Sequence, residues 1–133
     1  MFEEIKKTFA SCKSPQEKYE KIIALGRNLP KLDEKLMCKE NLVHGCQSQM
    51  FLTTKFRDGK VFFEVWSDAL ISAGLGSLLK SAYSGLEPEI VIKEQPKFLE
   101  ELGLLSLLSP TRSNGLKSLY LKMQQEALRL LTT

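Results

Sequence analysis

The residues best suited to chemistry in this chain form one short run, His44-Gly45-Cys46-Gln47-Ser48-Gln49, which sets a thiol on a polar, glycine-hinged stretch just ahead of an apolar segment. A cysteine buried for packing is normally wrapped in apolar neighbours, whereas Cys46 has glycine before it and three hydrogen-bonding side chains after it. That setting suits nucleophilic chemistry at sulfur, for which the thiolate is the reactive form. The plainer alternative is a small apolar residue at the start of a strand. His44 could act as a base or a metal ligand, but it reads more simply as an exposed loop imidazole.

Two more residues stand out by position. Asp68, in Ser67-Asp68-Ala69, reads as the cap of a helix. Arg112 lies in the small, polar run Ser109-Pro110-Thr111-Arg112-Ser113-Asn114-Gly115, in the first turn of the last helix, where a cation opposes the helix dipole. Such a placement calls for an anionic partner. A surface carboxylate would serve, and so would a thiolate, a persulfide or an acidic partner surface. A tetrahedral zinc site needs four ligands, and Cys38, His44, Cys46 and Asp68 could be forced into a set. Their spacing matches no closed zinc motif, so no metal is expected. Cys12 and Cys38 have no functional context of their own, and no phosphate-cradling loop, Walker lysine or serine elbow occurs.

The elements that position these residues belong to one domain. At 133 residues the chain can bury about two-thirds of its unfolded surface around one core. With 43% hydrophobic and 26% charged residues it has the composition of a soluble globule, and its longest apolar run is far too short to span a bilayer. The net charge of +3 comes from Lys and Glu interleaved in stretches such as Glu17-Lys18-Tyr19-Glu20-Lys21. These are solvated helix faces, not the one-signed stripe with stacking aromatics of a nucleic-acid binder. No secretory or transit pattern follows Met1, and the three cysteines include no close pair. A reducing, cytoplasmic location is expected.

Phe2, Ile5 and Phe9 mark a first short helix; Ser14 caps and Pro15 starts a second, with Tyr19, Ile22, Ile23 and Gly26 on its buried side. From Gln47 the apolar period changes to two, and Asp58-Gly59 signals a tight hairpin. Its return strand, Lys60 to Trp66, sets Phe56 opposite Val61, Thr54 opposite Phe63 and Leu52 opposite Val65, so both apolar faces coincide. The same register brings Gln49 across from Asp68 and delivers Cys46 towards the N-terminus of a third helix, whose field favours a thiolate. Ser67 or Asp68 caps that helix, and Gly74 and Gly76 within it allow close packing on the sheet. Glu89 to Lys93 is a helical turn or a short strand, and Lys97 to Leu102 a short helix. The last helix opens at Ser109-Pro110 with the stripe Leu116, Leu119, Tyr120, Met123, Ala127, Leu130 and Leu131.

From about Tyr19 onwards the chain resembles the SufE-like sulfur acceptor proteins of iron–sulfur cluster assembly. The resemblance rests on Leu25-Gly26 and Leu29-Pro30, on Asn41-Leu-Val-His-Gly-Cys-Gln-Ser-Gln49, on Ser67-Asp68-Ala69 and on Leu108-Ser-Pro-Thr-Arg-Ser-Asn-Gly-Leu116. It implies an α+β fold in which a small antiparallel sheet of two to three strands, its hairpin over about 47–66, is covered by helices as in the cluster scaffold proteins. Asn41 to His44 or Glu89 to Lys93 would be the third strand.

The resemblance also implies that Cys46 accepts sulfur from a persulfide on a pyridoxal-phosphate cysteine desulfurase, stimulates that enzyme and passes the sulfur to a cluster scaffold. His44, Gly45, Gln47, Gln49, Asp68 and Arg112 would then contact the partner or an anion. On this reading the chain relays a persulfide instead of turning over alone. It needs no cofactor beyond the transient persulfide, no nucleic acid and no membrane; a homodimer is compatible with it. Met37-Cys38-Lys39 departs from the family, which often has arginine there, and adds an unusual second thiol nearby. The competing classes are a metal- or cluster-binding scaffold and a module that activates a desulfurase by docking alone.

Overall fold

The computed structural model describes residues 2–45 and 48–132. Helix α1 (Glu3–Phe9) buries Ile5 and Phe9. Helix α2 (Pro15–Arg27) starts as its sequence dictates: the Ser14 side chain accepts from the Glu17 N–H, and Pro15 stands at the first turn, where its missing N–H costs nothing. Two single turns of 3-10 helix, Glu34–Leu36 and Lys39–Asn41, lead to the hairpin of β1 (Met50–Arg57) and β2 (Lys60–Ser67). Helices α3 (Leu70–Tyr83), α4 (Pro88–Lys93), α5 (Phe98–Glu101) and α6 (Pro110–Leu131) follow. Among the described residues this is an α+β fold with one two-stranded antiparallel sheet.

The hairpin register is the expected one, with Leu52 paired to Val65, Thr54 to Phe63 and Phe56 to Val61. Asp58 (φ 53°) and Gly59 (φ 77°) both take positive φ, as a type I′ turn requires. Leu52, Val61, Phe63 and Val65 face the core with Leu75 and Leu79 of α3 and Leu119 and Met123 of α6. No third strand forms among the described residues. Leu42 makes a single antiparallel bridge to Phe51, Leu86 makes one to Val61, and Glu89–Lys93 resolves as the body of α4, which Pro88 opens.

Two details of the helices differ from the sequence expectation. Gly76 does let α3 lie on the sheet, since a Cβ there would come within 2.6 Å of Val65 Cγ1, but Gly74 serves a helix crossing instead. A Cβ on Gly74 would collide with the Ile22 carbonyl of α2, and one on Gly26 with the Leu70 carbonyl of α3. Backbone, not a flexible side chain, blocks the space. Gly74→Ala is therefore expected to destabilise the fold by about 1–3 kcal/mol through overpacking, read as a lower denaturant midpoint at unchanged slope. On α6 the core stripe runs from Gly115 to Ala127, while Leu131, at 43% exposure, lies past its end.

Candidate functional site around positions 44 to 49

Cys46, the nucleophile expected from the sequence, and its neighbour Gln47 lie outside the described residues; the residues that flank them on both sides are described. On the N-terminal side, the Val43 N–H donates to the Met50 carbonyl (2.8 Å), which lays the segment along the start of β1. His44 is exposed, as expected of a loop imidazole. Gly45 takes φ 88° and lies so close to α6 that a Cβ would stand 2.7 Å from Ser118 Oγ. The left-handed backbone favours glycine here, and a larger residue would also have to displace the Ser118 hydroxyl. One turn further along α6, Lys122 Nζ donates to the Glu40 carbonyl (3.2 Å).

On the C-terminal side the anchors lie on β2 and α3. The Ser48 hydroxyl donates to Ser72 Oγ (3.0 Å) and lies 3.3 Å from Ser67 Oγ. The Gln49 N–H donates to the Asp68 carboxylate (3.0 Å), and the Asp68 N–H returns a bond to the Gln49 carbonyl (3.2 Å), a closed pair just beyond the last ladder pair, Met50 with Ser67. Asp68 therefore does not cap α3. The cap position is Ala69, with no side-chain cap, and Ser67 Oγ instead accepts from the Ala69 N–H (3.3 Å). The first turn of α3 carries no acidic residue, and the nearest carboxylate, that of Asp68 just before the cap, is engaged by the Gln49 N–H.

Arg112 is exposed in the first turn of α6, a turn without acidic residues; its backbone N–H donates to the capping Ser109 hydroxyl (3.3 Å). Among the described residues no carboxylate pairs with its guanidinium. The described contacts between α6 and the 40–45 segment fall at Ser118 and Lys122, which at 1.5 Å rise per residue are about 9 and 15 Å along the axis from Arg112. The structure thus brings the helix of Arg112 to the 40–45 segment by its third and fourth turns.

A family model described as SufE, Fe-S metabolism associated domain, matches residues 3–127. The chain belongs to the SufE family. It is 38% identical over 129 residues to SufE-like protein 1, chloroplastic/mitochondrial, of Arabidopsis thaliana, covering 96% of this chain but 35% of that protein. It is also 35% identical over 114 residues to an uncharacterized SufE-like protein of Synechocystis, covering 86% of this chain and 72% of the other. The chain therefore spans about a third of the plant relative's length. Its fold is similar to the solution structure of a hypothetical protein from Thermus thermophilus, with a TM-score of 0.80 at 22% identity over 99% of this chain and 96% of that one. Family and fold thus agree with the sequence resemblance, and the family ties the chain to iron–sulfur metabolism.

The second thiol of this SufE-family chain, Cys38, is half-buried and free, and its sulfur accepts from Asn41 Nδ2 (3.4 Å), which also donates to the Leu36 carbonyl (2.8 Å). A backbone hydrogen bond holds the neighbouring Glu40 carboxyl below its usual range, and a bond from the Cys38 thiol adds to this. Among the described residues no three His, Cys, Asp or Glu side chains come together as a metal site, so Cys38, His44 and Asp68 do not form one by themselves. Sequence reasoning missed Ser72, Ser118 and Lys122, the residues that fix the flanks. Only Ser72 left a trace, as a lone hydroxyl in the apolar run Leu70-Ile71-Ser72-Ala73-Gly74-Leu75.

Proposed function

We propose that this SufE-family chain is a persulfide carrier: Cys46 takes sulfur from a cysteine desulfurase persulfide and hands it to a scaffold on which iron–sulfur clusters are built. The Cys46 thiolate attacks the outer sulfur of the donor Cys-S-SH. A new S–S bond forms as the donor's S–S bond breaks; the donor cysteine leaves as thiolate with the bonding electron pair, and the product is Cys46-S-SH. No external oxidant, reductant or resident cofactor enters the balance. The observation that supports this reading best is the bracketing of position 46 by two separately built supports, Gly45 against Ser118 of α6 and Ser48 on Ser72 of α3. Fixed flanks on either side of a thiol limit where it can stand, which suits a nucleophile that must meet a donor persulfide in one geometry. Arg112, Asp68, His44 and Gln49 are proposed to meet the desulfurase around it.

The reading is tested with a Cys12→Ala/Cys38→Ala double variant, in which Cys46 is the sole thiol. It should stimulate a cysteine desulfurase as well as wild type does, within about two-fold, and lose that stimulation after alkylation with iodoacetamide. Stimulation that survives alkylation would assign the chain to docking alone.

A further inference from the structure

We propose, resting on the reading of Cys46 as sulfur acceptor, that Ser72 is a positioning residue of the transfer, acting through the hydroxyl of Ser48. Ser67 and Ser72 are only 6% and 5% exposed, so their hydroxyls occupy places where an unpartnered polar group is costly. Alanine at position 72 would suit a helix better and bury no polar atom. The serine is explained by what it receives.

Each hydroxyl has one proton to give. Ser48 donates to Ser72, it lies 3.3 Å from Ser67 Oγ, and Ser67 Oγ accepts the Ala69 N–H. The result is a connected series from the Ala69 N–H through Ser67 and Ser48 to Ser72. Donors and acceptors so aligned polarise one another and strengthen the series. Ser67 ends β2 and Ser72 lies in the first turn of α3, so the hydroxyl of Ser48 is tied to two packed elements, not to another loop. Ser48 is the second residue after Cys46. A reacting group displaced by about 1 Å can lose roughly a hundred-fold in rate, so a support at this spot has leverage on transfer without touching sulfur.

The test uses the full chain with a cysteine desulfurase and compares wild type, Ser72→Ala, Ser48→Ala and Ser48→Thr. In both alanine variants the maximal stimulated desulfurase rate should fall about ten-fold, while the concentration for half-maximal stimulation stays within about two-fold. Ser48→Thr keeps the hydroxyl at a half-buried position and should restore the rate. The iodoacetamide rate at Cys46, followed by mass on its peptide in the free protein, should change several-fold in the alanine variants and return in Ser48→Thr. Alanine variants that equal wild type in both rates overturn the proposal, as does a threonine variant as impaired as alanine. Should Ser72→Ala fail to fold, Ser48→Ala decides by the same two rates. If wild type takes up no sulfur at all, the carrier reading fails, and the alkylation rates alone still decide whether the hydroxyl chain positions Cys46.

Discussion

Cys46→Ser is expected to reduce sulfur uptake from a desulfurase persulfide to background while leaving the chain folded. A free thiol with a pKa of about 8.5 is a few per cent thiolate at neutral pH, and any favourable field raises that share. A serine hydroxyl supplies essentially no anion under the same conditions, and no exchange product equivalent to Cys46-S-SH can form on it. The oxygen-for-sulfur change removes little volume, and the flanking anchors at Gly45, Ser48 and Gln49 belong to other residues. Thermal unfolding should therefore change far less than sulfur uptake does. Stimulation of the desulfurase by Cys46→Ser at the wild-type level would move the function from sulfur carriage to docking.

Arg112→Ala should weaken sulfur acceptance roughly ten-fold or more, since one charge-assisted hydrogen bond to an anion contributes about 1.5–3 kcal/mol. Stability should hold or rise slightly. The side chain is exposed in a helix turn that carries no acidic residue, where a cation costs about 0.3–1 kcal/mol, and no described carboxylate offsets it. The helix start itself does not depend on the guanidinium, because Ser109 bonds the backbone N–H of Arg112. Desulfurase titrations and thermal melts on the same sample separate the two effects. A variant that unfolds, yet transfers sulfur normally whenever folded, would make Arg112 a structural clasp.

The hairpin was legible because three signals coincide on it: the two-residue period, Asp58-Gly59 and the shared apolar face fix one register. The starts of α2 and α6 were equally plain, each a serine cap followed by proline. What the sequence could not specify were contacts made between elements. Gly74 looks like Gly76 in the chain, yet one meets the carbonyl of Ile22 and the other the side chain of Val65, a difference set by the angle at which α2 crosses α3. Asp68 has the type and place of a cap, but the hairpin register sets it across from Gln49, whose N–H takes up the carboxylate. A third strand stops at one bridge, because the Val43 N–H bonds β1 and the chain then turns at His44 and Gly45. At the site, the thiol, its glycine and Arg112 were readable by residue type, whereas Ser72 and Ser118 acquire meaning only when α3 and α6 reach the same segment.

The most direct measurement is the mass of the peptide containing Cys46 after wild-type protein is incubated with a cysteine desulfurase, pyridoxal phosphate and cysteine, then trapped with an alkylating agent. A peptide heavier by one sulfur, absent without cysteine and not found on the Cys12 or Cys38 peptides, is the predicted result. An unmodified Cys46 peptide under conditions in which the desulfurase turns over, or sulfur carried only on Cys38, would contradict it.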